Sequence, residues 1–290
     1  MPELPDINLY VEKIDERIRG QCLENVRISK PFLLRSYAPP LSAANGRRIS
    51  GLRRIGKRIA IGLQPDYWLV LHLMIAGRLH WHAAPASING KHQLAAFDFG
   101  NGCLTLTEAG TKKRASLYLV KGADELASHD PGGLEPLDCD CTEFSARLLR
   151  ENRTLKRALT NPRSISGIGN AYSDEILHAA KLSPLKLTRK LSEAEIHSLY
   201  AAMRATLGRW CDLLRAQSKD DFPQKVTAFR AEMAVHGKFG KPCPVCGTPV
   251  QRIRYKSNET NYCPTCQNGG RLLADRSLSR LLRDDWPDTL

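Results

Sequence analysis

The chain has no run that approaches the ~18 consecutive apolar residues of a membrane span. Its opening residues are polar and include acids, unlike a secretory leader, so a cytoplasmic protein is expected, nucleoid-associated if the source is bacterial. Nine cysteines, an odd count without such a leader, argue against a disulfide framework and leave metal ligands and free thiols. The 8 histidines are scattered and form no ligand pattern, and no segment repeats another. Acids are in deficit: 30 Asp and Glu face 43 Lys and Arg, a formal charge of +13 that favours a polyanionic partner. What is present suits a folded chain. Its 290 residues suffice for two modest domains and an appendage, and a 42% hydrophobic content is too high for general disorder.

From Pro5 to Gly20, the residues Ile7, Tyr10, Val11, Ile14 and Ile18 recur at helical spacing, with Glu12, Lys13, Asp15 and Glu16 off the stripe. Pro5 suits the first turn and Gly20 the stop. Between about Cys22 and Val120 the pattern shortens to strands: Arg58 to Leu63, Trp68 to Leu73, Gln93 to Phe99 and Cys103 to Thr107. The turn Gly100-Asn101-Gly102 makes the last two a hairpin. Asp98-Phe99-Gly100 resembles a kinase triplet, but no other kinase landmark accompanies it. Residues Lys121 to Asp140, rich in Gly, Pro and acids, read as a linker. Helices follow at Thr142 to Glu151, Leu155 to Thr160, Ala171 to Ala180 and Ser192 to Leu214, the last opening with the capping box Ser192-Glu193-Ala194-Glu195.

Three clusters carry chemistry. The first six residues, Met1-Pro2-Glu3-Leu4-Pro5-Asp6, can place a nucleophile and an acid at the chain end. Once Met1 is removed, Pro2 carries a secondary amine. A generic α-amine has a reference pKa of about 8 against about 10.4 for lysine, so far more of it is unprotonated at neutral pH. Condensed with an aldehyde-level carbon such as a sugar C1′, it becomes an iminium, an electron sink for elimination. In isolation the dipeptide reads rather as a solvated start, and Lys57, in the basic turn Arg53-Arg54-Ile55-Gly56-Lys57, as a surface lysine.

The second cluster is Ser166-Gly167-Ile168-Gly169-Asn170, which joins two helices. Gly167 and Gly169 let the backbone approach a ligand, and the following helix offers free N–H groups to a phosphate. The third is Cys243-Pro244-Val245-Cys246 and Cys263-Pro264-Thr265-Cys266, 16 residues apart. Two such knuckles make a closed tetrahedral site for one structural zinc. Between them Arg252, Arg254 and Lys256 alternate on one face of a strand and would contact phosphates. Cys139-Asp140-Cys141 reads as two free thiols beside a linker, and His72, in an apolar run, as a satisfied core or groove residue.

The hexapeptide, the basic turn at Lys57, the stretch from Gly167 through Asn170-Ala171-Tyr172-Ser173-Asp174-Glu175 and the paired knuckles resemble, in that order, the formamidopyrimidine-DNA glycosylase and endonuclease VIII family. The resemblance implies an α+β multidomain chain: an N-terminal β-sandwich with a leading helix (1–130), a linker (131–141), a helix-two-turn-helix domain (142–240), a four-cysteine zinc finger (241–267) and a tail (268–290). It implies a monomer that binds double-stranded DNA with a lesion or abasic site, in a cleft between domains. Such an enzyme flips out a damaged base, cleaves its glycosidic bond and nicks the strand by β,δ-elimination. Pro2 would attack C1′, Glu3 would act as acid on the ring oxygen, and Lys57 would contact phosphates beside the lesion. Asn170 would contact a phosphate through its amide and Lys156 by charge.

Several positions depart from the pattern. Asp6 stands where a second Glu is usual. Ile75, with Met74 beside it, stands at the wedge, and Arg114 in Lys113-Arg114-Ala115 keeps the arginine of an Arg-Phe pair without its aromatic. Asn258 replaces an arginine of the finger, exchanging a charged donor for a neutral one. The stretch Ala216 to Thr227 lacks a Gly- and Thr-rich lesion-capping composition, so 8-oxoguanine is not expected to be the best substrate. A non-enzymatic relative that binds damaged DNA is the alternative; a zinc-ribbon transcription factor would explain the cysteines but not the first six residues. The tail places Leu278, Leu281 and Leu282 at helical spacing.

Overall fold

The computed structural model describes residues 1–219, 221–223, 226–255 and 258–274. Lys256 and the leucine stripe of the tail lie outside the described residues. Among those described, no helix is long and apolar enough to cross a membrane. The chain divides into two compact units, Met1–Pro131 with Cys211–Thr227, and Gly132–Trp210 with Ala228–Leu290.

The first unit opens with helix α1, Leu4–Ile18, and continues through eight antiparallel strands: β1 Cys22–Ile28, β2 Arg47–Ile55, β3 Arg58–Leu63, β4 Tyr67–His72, β5 Gly77–His82, β6 Gln93–Phe99, β7 Gly102–Glu108 and β8 Ser116–Lys121. Their order is β5-β7-β6-β1-β2-β3-β4-β8. β1 meets β2 through only two residue pairs, Cys22 with Arg48 and Leu23 with Arg47, so the sheet is two four-stranded leaves hinged at that point. Alternation along each strand turns one side chain in two toward a shared core. Leu79, Leu94, Phe97, Leu104 and Leu106 from one leaf meet Ile59, Ile61, Leu69, Leu71, Leu117 and Leu119 from the other. Ile7, Tyr10, Ile14 and Ile18 of α1 complete it, which is the stripe read from the sequence.

Strands β1, β2, β5 and β8 were not legible in the pattern because their outward positions are basic or polar. Basic side chains of β2 lie over aromatic rings of β4: the Arg47 guanidinium is 3.9 Å from the Tyr67 ring centroid and that of Arg53 4.4 Å from Trp68. The segment read as linker also holds a short helix, α2, Gly122–Ala127. Its acids belong to a helix start, where Glu125 accepts the Lys121 N–H at 2.8 Å, and Leu126 is buried with Val70 and Val120.

Residues 211–227 return to this unit and pack against α1. Phe222 and Val226 enter the core, Phe222 lies 5.9 Å from Tyr10, and Arg215 grips Glu12 through Nε at 2.9 Å and Nη2 at 2.6 Å. The N-terminal helix is therefore held both by the strands and by this returning segment.

The second unit contains α3 Cys141–Leu149, α4 Leu155–Thr160, α5 Asn170–Ala179 and the first part of α6 Glu193–Ser218, then a hairpin of β9 Gln251–Tyr255 and β10 Asn258–Tyr262, and α7 Pro264–Asn268. Reciprocal capping boxes start α3, between Asp140 and Glu143, and α6, between Ser192 and Glu195. Leu155, Leu159, Tyr172, Ile176, Met203 and Trp210 are buried between these helices.

Candidate active site and metal centre

Pro2, Glu3 and Asp6 are buried at the start of α1. Glu3 is the residue before the helix, and the Asp6 carboxylate accepts the Glu3 N–H at 3.0 Å, closing the first turn onto the terminus. Asp6, one methylene shorter than Glu, is thus a local clamp. The terminal amine, carried by Met1, is held below its ordinary pKa by burial, with Arg78 and Lys57 pushing the same way and Glu3 and Asp6 opposing. The charges of two acids and two cations, from three separate segments, therefore act on one amine.

Lys57 reaches this place through the β2–β3 hairpin. Ile55 pairs with Arg58, leaving Gly56 and Lys57 as a two-residue turn in which Gly56 takes φ of 58°. Arg54 fixes the turn against α1: Nε donates to Asn8 Oδ1 and Nη1 to the Gly56 carbonyl, both at 2.8 Å. Arg54 and Arg78 are the residues that sequence reasoning missed here. Neither had a distinguishing signal beyond belonging to a basic run or an apolar-polar strand.

Beyond β4 the chain makes a tight turn, Leu73 to Gly77. Gly77 donates to the Leu73 carbonyl at 2.9 Å, and a Cβ at Gly77 would sit 2.3 Å from that oxygen, so only glycine fits. Met74 adopts φ of 53°, uncommon for a non-glycine residue. Its N–H donates to His72 Nδ1 at 2.9 Å, which satisfies the histidine as expected from its apolar setting. Burial, followed by the charges of Arg58 and Lys57, pushes the His72 imidazole down to about 4. Ile75 at the tip is 58% exposed. Arg78 Nη1 donates to the carbonyls of Ile75 at 3.3 Å and Gly77 at 2.6 Å, so one arginine serves both the tip and the terminus.

Arg114 is exposed on the loop between β7 and β8. The buried Glu108 carboxylate holds that loop, accepting the N–H groups of Arg114 at 2.9 Å and Ala115 at 3.2 Å. A single acid ending an apolar strand was the available signal, and it was not recognised.

In the second unit Gly167 takes φ of 75° and Gly169 caps α5. Asn170 begins that helix, and its Nδ2 donates to the Glu259 carbonyl at 2.7 Å, leaving a second amide hydrogen. Lys156 is buried. Its ammonium donates to the Asn170 carbonyl at 2.7 Å and pairs with Asp174 Oδ1 at 2.5 Å, while Asp174 Oδ2 lies 2.7 Å from His236 Nδ1. Glu175 accepts the backbone N–H groups of Ala234, Val235 and His236. The finger hairpin places Arg252 and Arg254 on one face, both reaching Glu259, at 3.4 and 3.2 Å. Asn258 is exposed at the start of β10.

The four cysteine sulfurs lie within 4.8 Å of one another, with Cys243 to Cys266 at 3.9 Å and Cys246 to Cys263 at 3.4 Å. These separations are far beyond a disulfide bond. Four sulfurs set tetrahedrally about 2.3 Å from a zinc ion are spaced about 3.8 Å apart, so the cluster fits that ion.

Three family models match the chain: the formamidopyrimidine-DNA glycosylase N-terminal domain over residues 1–113, the H2TH domain of the same enzymes over 133–216, and the zinc finger found in FPG and IleRS over 240–269. The formamidopyrimidine-DNA glycosylase of Pelotomaculum thermopropionicum is 31% identical, covering 92% of this chain and 99% of that one. An uncharacterized formamidopyrimidine-DNA glycosylase-like protein of Mycobacterium tuberculosis is 40% identical over 151 residues, 52% of this chain and 94% of its own. Among solved structures, Lactococcus lactis Fpg in complex with abasic-site DNA superposes with a TM-score of 0.80 at 25% identity, over 92% of this chain and 99% of that one. The same enzyme with an oxidized-pyrimidine DNA gives 0.81 at 26% identity.

Proposed function

The chain belongs to the formamidopyrimidine-DNA glycosylase family, and from that membership we propose that it is a bifunctional base-excision enzyme acting through Pro2. The observation that carries this reading is the half-buried terminal amine, which the charges of Glu3, Asp6, Lys57 and Arg78 all influence. Removal of Met1 moves the amine one residue inward, onto the buried Pro2. The unprotonated Pro2 nitrogen attacks C1′ of the damaged nucleotide with its lone pair. The bond to the base breaks and the base leaves with the electron pair. Glu3 protonates the ring oxygen as the sugar opens, and the nitrogen becomes an iminium. Loss of a C2′ proton then expels the 3′ phosphate, and a second elimination expels the 5′ phosphate. Lys57, steered by Arg54, neutralises a phosphate beside the lesion, and Ile75 and Met74 enter the gap left by the flipped base, with Arg114 alongside.

Gly167, Gly169 and Asn170 present N–H groups to phosphate, and Arg254 and Asn258 extend that contact along the finger. Lys156 lends its charge from beneath the turn, through Asn170 and Asp174. The four cysteines hold one zinc, which organises a small finger with little core of its own. The protein acts as a monomer on DNA in the cytoplasm.

Borohydride trapping on a duplex with one abasic site tests the central step, with Met1 removal verified by intact mass. A covalent adduct that disappears in Pro2→Gly is expected. Tight, salt-sensitive binding without an adduct would instead favour a DNA-binding relative without catalysis.

A further inference from the structure

Cys243 is not served by the finger alone. His178 Nε2, projecting from α5, lies 3.2 Å from Cys243 Sγ, and the two residues are 6% and 3% exposed. The neighbouring sulfurs find donors within the finger: the Cys266 N–H points to Cys263 Sγ at 3.4 Å, and Thr248 to Cys246. A metal-bound cysteine is a thiolate and has no proton to give, so in the metal-bound protein the imidazole must be the donor. That fixes the Nε2–H tautomer. α5 also carries Asn170, eight residues earlier, whose amide donates to the Glu259 carbonyl of the finger at 2.7 Å. Just past the helix, Gln267 Nε2 donates to the Leu182 carbonyl at 3.0 Å. One helix is therefore gripped by the finger at its first turn, near its last turn and beyond its end.

We propose that His178 is a fifth, outer residue of the metal site: a positioning residue that donates Nε2–H to the Cys243 thiolate and so makes metal retention depend on α5. The proposal rests on the zinc assignment above. Partners outside the ligand set characteristically change metal affinity about 10- to 100-fold. His178→Phe keeps a ring of similar size and removes the donor, whereas His178→Gln keeps a donor at the Nε2 position. Zinc content is measured first by mass spectrometry on the full-length proteins, and release to excess chelator is then followed optically.

One zinc per wild-type chain is expected, with release at least about 10-fold faster from His178→Phe and near wild type from His178→Gln. Equal release from the wild type and His178→Phe overturns the proposal, as does equally fast release from both variants, which would assign the effect to packing. ¹⁵N chemical shifts of the wild-type histidine ring give a reading that does not depend on either variant folding: an Nδ1–H tautomer also overturns it. A wild-type protein without metal would defeat the zinc assignment itself.

Discussion

His72 sits where burial and two cations act together, and replacing it tests the turn that follows. Its imidazole falls from an ordinary 6.5 to about 4 in the folded protein. A depressed histidine binds fewer protons folded than unfolded, so its neutral form is compatible with full stability above pH 6.5. Stability is lost as pH falls from 6.5 toward 4. At about 1.36 kcal/mol per pKa unit the complete loss is at most about 3.4 kcal/mol, and about 2 kcal/mol of it falls between pH 7 and pH 5. His72→Asn removes the titration while keeping an oxygen near the Nδ1 position to accept the Met74 N–H. His72→Leu removes both. Urea unfolding of the three proteins at pH 7 and pH 5, followed by tryptophan fluorescence, should show the wild type losing about 2 kcal/mol more than His72→Asn on acidification. His72→Leu should be destabilised at both pH values by about 1–3 kcal/mol, the cost of an unpaired donor. The same loss on acidification in the wild type and His72→Asn would refute the reasoning.

Other expectations follow from the same contacts. Arg54→Ala frees the Lys57 turn from Asn8 and should lower base excision by about 100-fold, the scale of a misplacement near 1 Å, while DNA binding measured by anisotropy changes little. Asp6→Ala, which loses the Glu3 clamp, should cost about 1 kcal/mol in denaturant unfolding. Phe222→Ala should cost about 3–5 kcal/mol through the cavity left beside Tyr10. DNA affinity should fall steeply with salt, the logarithm dropping by about 0.9 per decade for each phosphate neutralised. In a cleavage assay, oxidised pyrimidines or abasic sites should be preferred to 8-oxoguanine; a clear preference for 8-oxoguanine would remove the significance given to residues 216–227.

Much of this is legible in the sequence alone. The α1 stripe, the β3 and β6 limits and the two-knuckle cluster depend on periodicity or spacing within one segment, and such signals survive in a bare sequence. Arg54, Arg78, Glu108 and His178 were not legible. Each acts on a residue or backbone group that only the fold brings near, and each belongs to a residue type that is ordinary at a strand edge or helix face. Lys156 shows the converse: its place on the helix before the glycine turn was readable, but its burial against Asp174 was not, because Asp174 looks like an exposed helix acid until α5 is packed.

The return of residues 211–227 to the first unit also orders events in time. The core that α1 shares with Phe222 and Val226 cannot be complete until Val226 has been synthesised. At about 5–20 residues per second, the growing chain leaves its first residue uncovered for about 10–45 s. The folded protein half-buries Met1, so the Met1 removal proposed above would meet its most open substrate during this interval. Packing around the first helix is thus finished by a segment made more than 200 residues later.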